Sequence, residues 1–214
     1  TYDDVTYFKG SGVMAMLEQY VGPEAFREAL RNYFARHAFG NATAEEFVDA
    51  IADRMGSVDA QEAFLTFLDQ PGVPVVSVTR QCKDNHLQLL LTQQRYSLLS
   101  APQSSDLAPT QQWGIPICVH LFDKTGRQCT LMRQAEQRWE LDAPCDATVL
   151  PNAQGSGYYR WLIDADNLHR LFGALPGMSE AQAFEMSSNM SAAFRAGKYS
   201  ANTILRFLRV AARH

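Results

Sequence analysis

Several features are scarce in this sequence of 214 residues, and each shortage excludes a class of protein. No two of its four cysteines are spaced as C-x-x-C, so neither a zinc knuckle nor a thioredoxin-like motif is supported. None of its five histidines lies three to five residues from another, and none is followed by glutamate. The helical H-E-x-x-H zinc motif is therefore absent from the chain. Neither a G-x-S-x-G elbow nor a G-x-G-x-x-G loop is present.

Positive charge and long apolar runs are also scarce. Lys and Arg total 19 against 23 Asp and Glu, a formal net charge of −4, and no basic run occurs, so we expect no nucleic-acid partner. Apolar stretches fall far short of the roughly 20 residues that span a bilayer, which predicts no membrane span. The sequence begins at Thr1 without a leader, so we expect a part of a longer protein, and its compartment is left unassigned.

Residues 1–70 predict helices. Apolar side chains at Val13, Met16, Leu17 and Tyr20 have the i, i+3, i+4, i+7 spacing of a half-buried helix that begins after Gly10. Three further helices are predicted from their start signals, which are Pro23 after Gly22, a capping box from Thr43 to Glu46, and Asp59 as an N-cap.

After the break at residues 70–74, the pattern changes to about seven short strands with turn signals between them, which predicts a small β-sandwich. Two of the strands form a hairpin that places Cys118 and Cys129 on facing strands, as possible diagonal neighbours. We expect free thiols there, with a disulfide as the alternative. From Asp164 the helical period returns, with Ser179 and Ser200 as N-caps and Gly197 as a helix end.

Five segments resemble, in order, those of the gluzincin zinc aminopeptidases, the family that includes aminopeptidase N. Residues 6–17, TYFKGSGVMAML, resemble the family's Tyr-x-Lys-Gly stretch, and residues 17–26, LEQYVGPEAF, its next helix and turn. Residues 33–43, YFARHAFGNAT, resemble a later link, residues 69–78, DQPGVPVVSV, the exit into a β-sandwich, and residues 157–160, GYYR, a strand before the last helical domain. The resemblance covers nearly the whole chain.

The resemblance implies a multidomain α+β architecture. Residues 1–72 would form the C-terminal helical end of a thermolysin-like catalytic domain, residues 73–164 a β-sandwich, and residues 165–214 the first helices of a C-terminal helical domain. It also implies a zinc enzyme that removes N-terminal residues from peptides, with Tyr7 donating a hydrogen bond to the oxyanion of the tetrahedral intermediate. Taken alone, Tyr7 is one tyrosine placed before a helix.

The zinc ligands and the G-x-M-E-N segment that such enzymes use are absent from this chain and belong before Thr1. We therefore expect the isolated chain to bind no zinc and to be inactive, with the N-terminal part of the same protein as its partner. Two alternatives remain: a non-catalytic interaction module that kept the sandwich and lost the zinc half, and a binding domain that uses an exposed aromatic patch on the strands.

Overall fold

A computed structural model describes residues 4–55, 58–100, 111–122 and 126–213 of the chain. In these residues, helices come first, strands follow and helices return, so the mixed helical and strand composition is confirmed. The helices are α1 (Asp4–Val21), α2 (Pro23–Arg36), α3 (Ala44–Met55), α4 (Val58–Asp69), α5 (Ala165–Ala174), α6 (Glu180–Arg195) and α7 (Ala201–Ala211), with a 3₁₀ turn at Leu175–Gly177. The strands are β1 (Pro74–Lys83), β2 (His86–Arg95), β3 (Ile115–Leu121), β4 (Gly126–Met132), β5 (Glu136–Pro144), β6 (Val149–Leu150) and β7 (Arg160–Ile163).

Most of the predicted helix boundaries are confirmed by local contacts. Gly22 takes a φ of 96°, which a side chain rarely tolerates, and Pro23 starts α2. The Thr43 hydroxyl accepts from the Glu46 N–H at 3.2 Å, while the Glu46 carboxylate accepts from the Thr43 N–H at 2.7 Å, which completes the capping box. Helix α4 begins at Val58, two residues earlier than predicted, so Asp59 lies in its first turn and is not its N-cap; the side chain of Asp59 lies outside the described residues.

The strands form two sheets. One has the order β5–β2–β1–β7, with β7 parallel to β1 and the other pairs antiparallel; the second has the order β4–β3–β6. Both sheets contribute fully buried side chains to a core shared with the helices, including Leu89 on β2, Ile117 on β3 and Phe67 on α4. This shared core holds the sheets, the first four helices and the last three against one another.

Two buried asparagines occupy the free edges of the shortest strands. Asn189 on α6 accepts from the Trp161 N–H of β7 at 2.9 Å and donates to the Trp161 carbonyl at 2.8 Å. Asn167 on α5 makes the same pair of contacts with Val149 of β6, at 3.3 and 2.9 Å. Each amide replaces the hydrogen bonds of a missing neighbouring strand, so buried edge groups stay paired.

The expectation of free thiols is wrong, because the structure contains two disulfides, Cys82–Cys145 and Cys118–Cys129. Cys118 and Cys129 are directly opposite in the β3–β4 register and not diagonal, with Cα atoms 4.1 Å apart. Cys82 at the end of β1 meets Cys145 just after β5, with Cα atoms 5.3 Å apart. The second pair depends on β2 lying between β1 and β5, an order that the sequence pattern does not contain.

Candidate active site

The helix that carries Tyr7 has one buried and one exposed face. Val13, Met16 and Leu17 are buried in the core, as their spacing predicts. Helix α1 begins at Asp4, however, and continues through Gly10, so Tyr7 lies inside the helix and not before it. The early start extends the helix by two turns beyond the apolar stripe.

Tyr7 lies on the exposed face of α1. Its side chain is 66% exposed, and Ser11 and Met14, one and two turns further along the helix, are exposed as well. Phe8 is 72% exposed beside it. The opposite face of α1 packs on the core.

Other residues of the same motif have structural roles in the chain. The Lys9 ammonium donates to the carbonyl of Gln70 at 2.8 Å, which ties α1 to the end of α4, and burial lowers the pKa of Lys9. A Cβ added at Gly12 would lie 2.7 Å from a ring carbon of Tyr158, and the Tyr158 N–H contacts the sulfur of Met16 at 3.3 Å. The structure therefore brings together residues 6–17 and residues 157–160, two segments that carry the resemblance.

Gly10, two residues before Gly12, has different surroundings. A Cβ at Gly10 would meet no atom of the described chain within 4 Å. A glycine inside a helix costs about 0.5–1 kcal/mol relative to alanine, so its presence is not explained by contacts within the described residues. Its place in the chain is one turn after Tyr7.

Large apolar side chains are exposed on the first helices. Phe34 on α2 and Phe39 in the α2–α3 link are exposed, as is Met14. The strands of the described residues present no large exposed aromatic side chain, which is the feature that a binding surface on the sheets would require. The structure therefore gives that alternative no support.

The described residues contain no group of three His, Cys, Asp or Glu side chains that could hold a metal ion. Since the sequence has no histidine pair at helical spacing, the residues present do not fit a catalytic zinc, which needs about three protein ligands. We derive no chemical step through zinc from this chain.

The comparisons with known proteins agree with the order of these elements. Residues 1–69 match the model described as "Peptidase family M1 domain". Tricorn protease-interacting factor F2 of Thermoplasma volcanium is 29% identical over 203 residues, which are 94% of this chain and 23% of that protein. A probable M1 family aminopeptidase 1 of Encephalitozoon cuniculi is 30% identical over 185 residues, 83% of this chain and 19% of that protein.

Aminopeptidase N of Lactobacillus delbrueckii subsp. lactis is 34% identical over 113 residues, which are 53% of this chain and 12% of that protein. These matches define a chain related to peptidases. It belongs to the M1 peptidase family, within the gluzincin aminopeptidases, and spans about a quarter or less of the length of these relatives. None of the described helices is both long and apolar enough to cross a membrane.

Proposed function

We propose that the chain is part of a zinc-dependent aminopeptidase that removes N-terminal residues from peptides, and that Tyr7 is a catalytic residue of that enzyme. The observation that carries the proposal is the exposed position of Tyr7 on α1, in a helix whose motif residues Lys9 and Gly12 hold its opposite face in place. The relatives named as aminopeptidases support the reaction class.

In this proposal the Tyr7 hydroxyl donates a hydrogen bond to the oxyanion that forms when water attacks the scissile carbonyl. Charge on that oxygen develops only in the transition state, so a donor held rigidly by a helix lowers the barrier without tightening substrate binding. Zinc, bound by residues that are not in this chain, would supply the polarised water. Alone, the 214-residue chain would then bind no stoichiometric zinc and hydrolyse no aminoacyl-anilide.

The proposal assigns residues 1–72 to the end of the catalytic domain, 73–164 to a β-sandwich and 165–214 to the start of a helical domain. The exposed side chains of Phe8, Met14 and Phe34 would face the N-terminal part of the same protein. Gly10, with nothing near it in the described chain, would allow that part to approach α1 closely.

The test is Tyr7→Phe in the full-length enzyme. We expect kcat to fall about 10²–10³-fold, which corresponds to about 3–4 kcal/mol, with little change in KM. The melting temperature should change little, because Tyr7 is 66% exposed and phenylalanine keeps the ring. Steady-state kinetics and a thermal melt on the same preparation measure both effects.

Tyr20→Phe is the matched control, since it removes the same hydroxyl from the half-buried end of the same helix. We expect wild-type kcat for this variant. A Tyr7→Phe enzyme within threefold of wild-type kcat would remove Tyr7 from the catalytic residues.

The competing function is a non-catalytic interaction module. It predicts that the full-length sequence lacks H-E-x-x-H and that the full-length protein hydrolyses no aminoacyl-anilide. The aminopeptidase requires the motif to be present and the anilide to be hydrolysed. Reading the upstream sequence and assaying the full-length protein distinguish the two.

A further inference from the structure

A cavity lies between the four-stranded sheet and helix α6, away from residues 6–17 on α1. It has a volume of about 230 Å³ and a mixed lining. The apolar walls include Leu98, Leu99 and Leu162, and the polar walls include three cationic residues. A cavity of this size suits a small molecule rather than a protein segment.

The three cations come from different elements of the fold. Arg95 ends β2, Arg160 begins β7 in register with Val75 of β1, and Lys198 follows α6. No aspartate or glutamate lines the cavity, and no described carboxylate lies within ion-pair distance of any of these three side chains. Arg160 lies near enough to the buried Glu185 to lower its pKa, but no ion pair within the described residues neutralises Arg95 or Lys198, which is unexpected in a chain of net charge −4.

Part of the donor capacity of these cations is unused. One guanidinium nitrogen of Arg160 donates to the Ser188 hydroxyl at 3.0 Å, so the other N–H groups of Arg160 can still donate. The Arg95 guanidinium makes no hydrogen bond to an acceptor in the described residues. An arginine fork presents several parallel N–H groups, which suits a carboxylate or a phosphate.

The acceptors nearest the cavity are already occupied. The carbonyls that end α6 accept from the Tyr96 hydroxyl at 2.9 Å, from the Leu99 N–H at 3.0 Å and from the Lys198 N–H at 2.9 Å. Asn189 is held by both backbone groups of Trp161. Gln94 and Ser97 add side-chain oxygens to the lining, but no carboxylate does, so the three cations favour an anion over a cation.

We propose that this cavity, lined by Arg95, Arg160 and Lys198, binds a small organic anion, with one phosphate or carboxylate group on an apolar body. The head group contacts the cations, and the apolar body contacts Leu98, Leu99 and Leu162. The inference does not depend on peptidase activity, because none of residues 6–17 on α1 lines the cavity.

Calorimetric titration of the 214-residue chain tests the site with three probes that share one ring: phenyl phosphate, phenylacetate and benzyl alcohol. We expect saturable binding, with one site per chain, of at least one anion, and the two anionic probes determine which head group is preferred. Neutral benzyl alcohol should bind at least tenfold more weakly, because it leaves the cations without a partner.

Matched variants locate the binding. Arg95→Gln should weaken binding of the anion by about 10-fold. Lys198→Met should weaken it by only about 3-fold, since Lys198 is exposed and its charge is screened. Arg138→Gln and Lys83→Met remove the same charges from exposed strand positions outside the cavity and should bind as the wild type does. Arg160 is left unchanged because it also acts electrostatically on the buried Glu185.

Three results would overturn the proposal: no saturable binding of either anion, equal affinity for benzyl alcohol, or an equal loss in Arg138→Gln and Arg95→Gln. Circular dichroism on each variant confirms the fold. If Arg95→Gln does not fold, comparing anion binding by Lys198→Met with that by Lys83→Met tests the proposal, which requires the weaker binding in Lys198→Met.

Discussion

Glu185 on α6 is a buried carboxylic acid with only neutral hydrogen-bond partners. One carboxylate oxygen accepts from the Asn152 amide at 3.0 Å and from the Trp161 indole at 3.2 Å. Burial raises its pKa to about 7 from an ordinary value of 4.5, although both hydrogen bonds and the nearby Arg160 act in the opposite direction. Nothing in the sequence pattern marks this position.

The raised pKa determines the sign of a pH effect on stability. Between pH 4.5 and 7 the folded chain holds a proton at Glu185 that the unfolded chain has released. The stabilisation from that proton is fully present below pH 4.5 and is lost as the pH rises through 7. The difference between the two limits is about 3 kcal/mol.

Glu185→Gln should remove this dependence. The amide oxygen can still accept from Asn152 and Trp161, and it carries no charge to desolvate. We expect the variant to be about 1–3 kcal/mol more stable than the wild type at pH 8 and nearly equal to it at pH 4.5. Urea unfolding across this pH range measures the difference.

Glu180→Gln, at an exposed position on the same helix, is the control and should follow the wild-type profile. A Glu185→Gln variant that is less stable than the wild type at pH 8 would contradict the prediction.

Gly10 and Gly12 form a second pair of positions with opposite expected effects. In Gly12→Ala the new Cβ would lie 2.7 Å from the Tyr158 ring, so the ring or the helix must shift, at a cost of about 1–3 kcal/mol that exceeds the gain in helix propensity. In Gly10→Ala nothing is displaced, so the isolated chain should gain about 0.5–1 kcal/mol.

Urea unfolding of the two variants of the isolated chain tests this prediction, with each glycine serving as the control for the other. Destabilisation by Gly10→Ala would contradict the open space at Gly10, and stabilisation by Gly12→Ala would contradict the close approach of the Tyr158 ring.

At the scale of elements, the two disulfides connect strands over different lengths of chain. Cys118–Cys129 closes the β3–β4 hairpin over a separation of 11 residues, and Cys82–Cys145 joins the ends of β1 and β5 over 63. A longer closed loop restricts the unfolded chain more, so the second disulfide should contribute more stability.

Replacing Cys82 and Cys145 together by alanine should cost about 4 kcal/mol, and replacing Cys118 and Cys129 about 3 kcal/mol. Urea unfolding of each double variant against the oxidised wild type measures both values. Thiol titration of the unfolded, unreduced wild type should find no free thiol. Four reactive thiols in that titration would exclude both bonds.

At the scale of the whole molecule, large apolar side chains are exposed on the first helices and also on α6 and α7. On the first two helices, Met14 and Phe34 are exposed, whereas Met16 and Phe26 are buried in the core. The inward face of the first two helices packs on the rest of the chain, and only the outward face is uncovered.

The isolated chain should therefore self-associate through the exposed side chains of Phe8 and Phe34. Sedimentation velocity over a concentration series should show dimers or larger species for the wild type and a monomer for Phe8→Ser/Phe34→Ser. Leu205→Ser, which removes an exposed apolar side chain from α7, should leave association unchanged. A monomeric wild type at high concentration would contradict the prediction.

The sequence by itself determined where most helices and strands lie, because the signals for them are local. The Thr43–Glu46 capping box, the Gly22–Pro23 stop and the caps at Ser179 and Ser200 each act within a few residues, and the structure contains all four. The order of the motifs was likewise sufficient for the M1 family, which the comparisons show independently. The catalytic role of Tyr7 stays a prediction.

Only the tertiary structure decided which distant residues meet. The Cys82–Cys145 bond depends on the strand order β5–β2–β1, and the contact of Gly12 with Tyr158 joins residues 146 positions apart. The cluster of Arg95, Arg160 and Lys198 likewise needs a strand end, an edge strand and a helix end to converge. Periodicity records which face of an element is apolar, but the partner of that face depends on long-range packing, which no short stretch of sequence encodes.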